Sequence, residues 1–147
     1  MGAPPLPVTI AVPDLTALDH LAESLVSHLS PGTTLLLSGP LGAGKTALAR
    51  AMLRALCHDP ALEVPSPSYT LVQTYPTPLG PVHHYDLWRI ASWRDVVELG
   101  WNEARADITL VEWPDRLGPL TPARPIRLQI VPAADGSTRN VTLYLPS

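Results

Sequence analysis

The stretch LLLSGPLGAGKTALARAML, from Leu35 to Leu53, constrains this chain more than any other. Three leucines enter a glycine-rich turn, Lys45 and Thr46 follow, and a run of helical character leaves. A strand, a tight loop and a helix in that order require a parallel sheet nearby. Gly39, Pro40, Leu41, Gly42, Ala43, Gly44, Lys45 and Thr46 satisfy G-x-x-x-x-G-K-[ST] at every fixed position. Physically, the glycines let backbone N–H groups wrap an anion. The helix opening at Gly44 aims its positive dipole end at the same place. Lys45 reaches toward β- and γ-phosphates, and the Thr46 hydroxyl suits Mg²⁺. The bland alternative is a glycine turn that happens to precede a helix. The apolar strand entering and the amphipathic helix leaving argue against it.

The rest of the chain supplies a sheet for that unit. PVTIAV, Pro7 to Val12, is a short β-rich run. Leu18, Leu21, Leu25, Val26 and Leu29 recur at helical spacing, so an amphipathic helix is predicted there, capped by Asp14 or Thr16 and ended by Pro31-Gly32. TTLLLSG is a continuous apolar strand, the pattern of a strand covered on both faces. A second helix runs from Gly44 to Cys57. SYTLVQTY and PVHHYDLWRI are β-rich and separated by PTPLG, a hairpin loop. SWRDVVELGWNEARA is helical in two pieces broken near Gly100, and DITLVEW is another buried strand. PIRLQIVP and RNVTLYL, joined through AADGST, make a closing hairpin. The expected fold is a single α/β domain over residues 1–147, P-loop NTPase-like, with a mixed central β-sheet flanked by helices.

Composition narrows the function classes. A chain of 147 residues, 46% hydrophobic, suits one core and leaves little room for a second. The net charge is −3, with no Lys/Arg-rich run and no interleaved aromatic platform, so direct gripping of RNA is not expected. Cys57 is the single cysteine, which excludes an internal disulfide and a cysteine zinc site. The N-terminus lacks a basic n-region and a long apolar core, and Leu6 stands where myristoylation wants Ser or Thr. No apolar run approaches a membrane span. The expectation is a soluble cytoplasmic protein with no membrane partner.

A P-loop needs a second magnesium group, usually an acid at the end of a nearby apolar strand. ITLVEW offers Glu112, and no other apolar strand ends so cleanly in an acid. DRLG, Asp115 to Gly118, matches the D-x-x-G of GTPases, but it lies past Pro114, beyond the strand end, and there is no N-K-x-D to read guanine. DRLG therefore reads as a turn, and ATP is favoured over GTP. In HHYDLWR, Asp86 is a carboxylate that could orient or deprotonate water. Periodicity alone leaves it open between a catalytic and a structural role. His83 and His84 are adjacent on a strand and point to opposite faces, which disfavours one shared metal ion.

Together these pieces resemble TsaE, the family of small P-loop ATPases of bacterial tRNA threonylcarbamoyladenosine synthesis. The G-x-L-G-A-G-K-T loop of the family is matched by Gly39 to Thr46. Its S-P-T-[YF]-T-L-V segment is matched by SPSYTLV from Ser66 to Val72, and its H-x-D-L-Y-R by HYDLWR from His84 to Arg89. E-L-G is matched at Glu98 to Gly100, and the strand ending E-W at Glu112-Trp113. The resemblance implies that Lys45 and Thr46 bind phosphate and Mg²⁺, and that Glu112 completes the magnesium site. It implies that Asp86 acts on the attacking water or helps hold the magnesium shell. Ser66 to Thr70 would form a switch-like loop sensing the γ-phosphate, so Thr70 joins the candidate nucleotide residues. Trp113 would sit beside the site. Arg139, in the closing hairpin, is a candidate nucleotide contact, with an exposed hairpin arginine as the equal alternative. Two letters depart from the family: Ser68 stands for the usual Thr and Trp88 for the usual Tyr. The implied activity is slow ATP hydrolysis that resets a TsaB–TsaD complex between rounds of tRNA modification, so tRNA is met only through that complex.

Two rivals remain at this level. A small-molecule kinase normally carries an arginine-bearing lid that excludes water. Here the arginines are scattered and no insertion is long enough for a lid. The other rival is a nucleotide-binding module without turnover.

Overall fold

The computed structural model describes residues 7–146. Seven strands form one sheet: β1 Val8–Val12, β2 Thr34–Ser38, β3 Val72–Thr77, β4 Gly80–Asp86, β5 Ile108–Glu112, β6 Ile126–Pro132 and β7 Arg139–Tyr144. Their spatial order is β1-β7-β6-β2-β5-β4-β3. The middle four, β6-β2-β5-β4, are parallel, and antiparallel pairings add β3 at one edge and β7 then β1 at the other. The mixed α/β architecture expected from the glycine-rich unit is the one observed.

Strand β2 shows why its letters are all apolar. Leu35 and Leu37 face the helices α1 (Leu15–Val26) and α2 (Lys45–Cys57), where they join Leu21, Leu25, Leu48 and Met52. Leu36 faces the other way, toward Tyr85, Val96, Trp101 and Leu117. That second layer is built by α3 (Trp93–Glu98), α4 (Trp101–Ala104) and a 3₁₀ helix at Pro114–Leu120. Helices on both faces leave no solvated side, so the strand cannot alternate with polar residues. Among the described residues no helix is long and apolar enough to cross a membrane.

Several boundaries differ from the sequence reading. Asp14 is the cap of α1, its carboxylate accepting from Ala17 N at 2.9 Å. The helix stops at Val26, although the apolar spacing continues to Leu29. The Ser27 hydroxyl donates to the Ser24 carbonyl, and the His28 and Leu29 amides bond three residues back, which tightens and ends the helix. Leu29 stays buried from outside the helix. The β-rich run from Ser68 becomes a strand only at Val72. Leu71 N closes a turn on Pro67 O at 2.7 Å, and Leu71 itself takes a left-handed φ of 71°. DRLG is not a simple turn but part of the 3₁₀ helix, kinked at Gly118.

Candidate functional site

The site forms at the carboxyl ends of β2, β4 and β5, the usual crevice of an open parallel sheet. Strand parity aims its acids. On β4, His84 and Asp86 share the face toward α2, and Asp86 lies beside Glu112 in the β4–β5 register. The glycine loop leaves β2 and returns as α2, with Gly39, Gly42 and Gly44 at φ of 154°, 77° and 105°. At Gly39 a Cβ would run into the Ile130 carbonyl oxygen of β6, so only glycine fits. Leu41 is exposed at the loop tip, and Ala43 is buried beneath it.

Thr46, on the first turn of α2, donates its hydroxyl to Glu112, 2.8 Å from Oε1 and 2.9 Å from Oε2. Two hard oxygen groups from distant parts of the sequence thus meet next to the loop. Hydroxyl and carboxylate oxygens are the donors Mg²⁺ takes, so these residues fit the ion. His84 Nε2 lies 2.7 Å from Glu112 Oε2. Asp86 accepts from Ser68 Oγ at 3.1 Å and from Trp88 N at 3.0 Å, while Ser66 and Ser68 hydroxyls lie 2.8 Å apart. The hydroxyl that reaches Asp86 is therefore Ser68; Thr70 accepts instead from Gln73 Nε2.

Lys45 is folded back onto its own loop, donating to Gly39 O and to Pro40 O. Its ammonium also rests 3.9 Å from the centroid of the Trp113 ring. Trp113 is brought there by a left-handed backbone, φ 59°, directly after Glu112, and stacks on Trp88 at 4.3 Å. Burial lowers the Lys45 pKa, and the charges of Glu112, Asp86 and Asp115 partly oppose that shift. Arg139 Nε donates to Ala43 O at 3.0 Å, which ties the closing hairpin to the loop. Behind that bond lies a groove of about 250 Å³, lined by Val12, Leu18, Leu48 and Val141 with Ala43 and Arg139.

The structure thus gathers Lys45, Thr46, Asp86, Glu112 and Trp113 around one loop, and ties Arg139 to the same loop through Ala43 O. Sequence reasoning did not place His84 in the cluster, and within the Ser66–Thr70 segment it named Thr70, where Ser68 is the residue on Asp86. Parity was the available signal for His84, two residues before Asp86 on the same strand face. His83 points away and bonds Thr74 and Asp107.

A family model described as "Threonylcarbamoyl adenosine biosynthesis protein TsaE" matches residues 12–141. The chain belongs to the TsaE family. Every candidate named above lies inside the matched span. Among curated TsaE proteins, the one from Rickettsia felis is 39% identical over 94 residues, 63% of this chain and 54% of the relative. The Rickettsia bellii TsaE is 34% identical over 112 residues, 76% of this chain and 77% of its own. The Synechocystis sp. TsaE is 38% identical over 111 residues, covering 72% and 69%. The chain therefore spans about half the length of the Rickettsia felis relative. A solved structure, Bacillus subtilus YdiB, shares the fold with a TM-score of 0.79, covering 97% of this chain and 87% of that one at 22% identity.

Proposed function

We propose that this chain binds ATP with Mg²⁺, hydrolyses it slowly, and serves tRNA threonylcarbamoyladenosine biosynthesis by acting on a TsaB–TsaD complex and resetting it between rounds. The observation that carries the nucleotide half is the Thr46–Glu112 contact beside the glycine loop. The pathway half rests on the TsaE family match. In this reading Lys45 leaves its loop carbonyls for the β- and γ-phosphates, while Gly39, Leu41, Gly42, Ala43 and Gly44 offer backbone N–H groups. Thr46 and Glu112 hold Mg²⁺, which neutralises charge developing on the phosphate oxygens. Asp86 has acceptor capacity beyond its two existing partners, and it orients the attacking water. Ser68, bonded to Asp86, connects the Ser66–Thr70 segment to that carboxylate. The apolar groove next to Ala43 and Arg139 suits a nucleobase.

The test is titration with a fluorescent ATP analogue at several Mg²⁺ concentrations. Lys45→Ala is expected to abolish productive binding, because positioning by charge is most of phosphoryl-transfer catalysis. Glu112→Ala is expected to lose the Mg²⁺ dependence while keeping metal-free binding, since the backbone cradle stays intact. Unchanged affinity and turnover in Lys45→Ala would reject the assignment. Transfer of phosphate to a metabolite would favour a kinase instead.

A further inference from the structure

His84 is fully buried, yet it does not fill space as an apolar side chain would. Its Nε2 meets Glu112 Oε2 at 2.7 Å, and its Nδ1 is buried with no hydrogen-bond partner. A proton on Nδ1 would be a buried donor with nothing to receive it, a costly arrangement. The ring therefore carries its proton on Nε2 and donates it to the carboxylate. Glu112 is itself buried, and its other partner is the single hydroxyl hydrogen of Thr46, shared between both oxygens. That hydroxyl cannot fix which oxygen faces the loop. His84 can, because it engages Oε2 alone and leaves Oε1 with Thr46 as its one described partner.

We propose that His84 is a positioning residue that fixes the Glu112 carboxylate for Mg²⁺, an inference that rests on the magnesium reading above. Such outer hydrogen bonds typically change metal affinity about 10- to 100-fold when removed. The rival is a histidine that merely completes the core. A core role is satisfied by any side chain of similar size, whereas positioning requires a donor at the Nε2 place. Glutamine carries its amide nitrogen about as far from the backbone as Nε2 and can supply that donor. Leucine cannot.

The experiment titrates Mg²⁺ against the fluorescent ATP analogue in wild type, H84L and H84Q. H84L is expected to need about 10- to 100-fold more Mg²⁺ for half the effect, with unchanged analogue affinity in EDTA. H84Q is expected to recover most of the loss. A wild-type Mg²⁺ requirement in H84L overturns the proposal, as does H84Q performing no better than H84L. If wild type itself shows no Mg²⁺ effect, the magnesium reading fails first and takes the proposal with it. A second measurement needs no variant: ¹⁵N spectra of the histidine rings in the intact protein. Protonated Nε2 with bare Nδ1 at His84 supports the proposal, and the opposite tautomer overturns it.

Discussion

At Gly39 the backbone of β6 passes so close that the residue has no room for a side chain. The obstruction is a carbonyl group and not the end of a flexible side chain, so the loop itself must shift. Gly39→Ala is expected to destabilise the protein by about 1–3 kcal/mol, as overpacking does, and to weaken ATP-analogue binding. Gly42→Ala meets open space and suffers only its left-handed backbone, about 1–2 kcal/mol. Urea denaturation of both variants checks the order; Gly42→Ala as costly as Gly39→Ala would contradict it. At this scale the motif letters were legible because each has a stereotyped physical job. The contacts between separate motif segments were not. Ser68 on Asp86 depends on the turn before β3, and His84 on Glu112 depends on the β4–β5 register, neither of which a local pattern encodes. Trp113 was placed beside the site by resemblance, but its seat under Lys45 needs a left-handed tryptophan, which single-residue preference disfavours.

Among the elements, β6–β7 is the hairpin with the clearest turn chemistry. Asp135 accepts from Ser137 N at 2.9 Å, Thr138 N at 2.8 Å and Thr138 Oγ1 at 2.6 Å. Those hydrogen bonds, the Thr138 side chain foremost, bring its pKa down to about 2. A carboxylate with a depressed pKa stabilises the fold above its unfolded value of 3.8. The contribution is lost as pH falls through about 2. Asp135→Ala is therefore expected to be less stable than wild type at pH 7, with the difference closing as the pH approaches 2. Hydrogen exchange at the Ser137 and Thr138 amides reads this directly; a gap that persists at the acid end would contradict it. Element identity was readable for β2, α2, β5 and the closing hairpin, where periodicity and flanking turns agree. It failed at Ser68–Leu71, where β-favouring letters are overridden by the turn that Leu71 N closes on Pro67 O. It also overran the end of α1, where Ser27 competes for backbone oxygen.

For the molecule as a whole, the pattern β, α, β, α, hairpin, α, β, hairpin was enough for the mixed sheet, because parallel strands demand crossovers and hairpins do not. The strand order was not readable, since β6, in the last part of the chain, inserts beside β2 without any local cue. If the resetting reading holds, the isolated chain should hydrolyse ATP well below the ~1–100 s⁻¹ of kinases, and adding TsaB and TsaD should raise the rate. Asp86→Ala should still join the complex in ATP yet fail to sustain repeated modification in a multiple-turnover tRNA threonylcarbamoylation assay. Full turnover by that variant would reject resetting. The same strand order bears on how the protein comes into being. The strand that feeds the glycine loop finds both its neighbours, β5 and β6, in the second half of the chain, and Ile130 and Arg139 touch the loop directly. A ribosome that has released only the motif has therefore released an unpaired strand and a loop with nothing behind it. If the loop binds nucleotide as proposed, that competence is expected only after β7 has emerged, and a nascent chain halted before that point would expose an unpaired apolar strand although every letter of its signature is already in place.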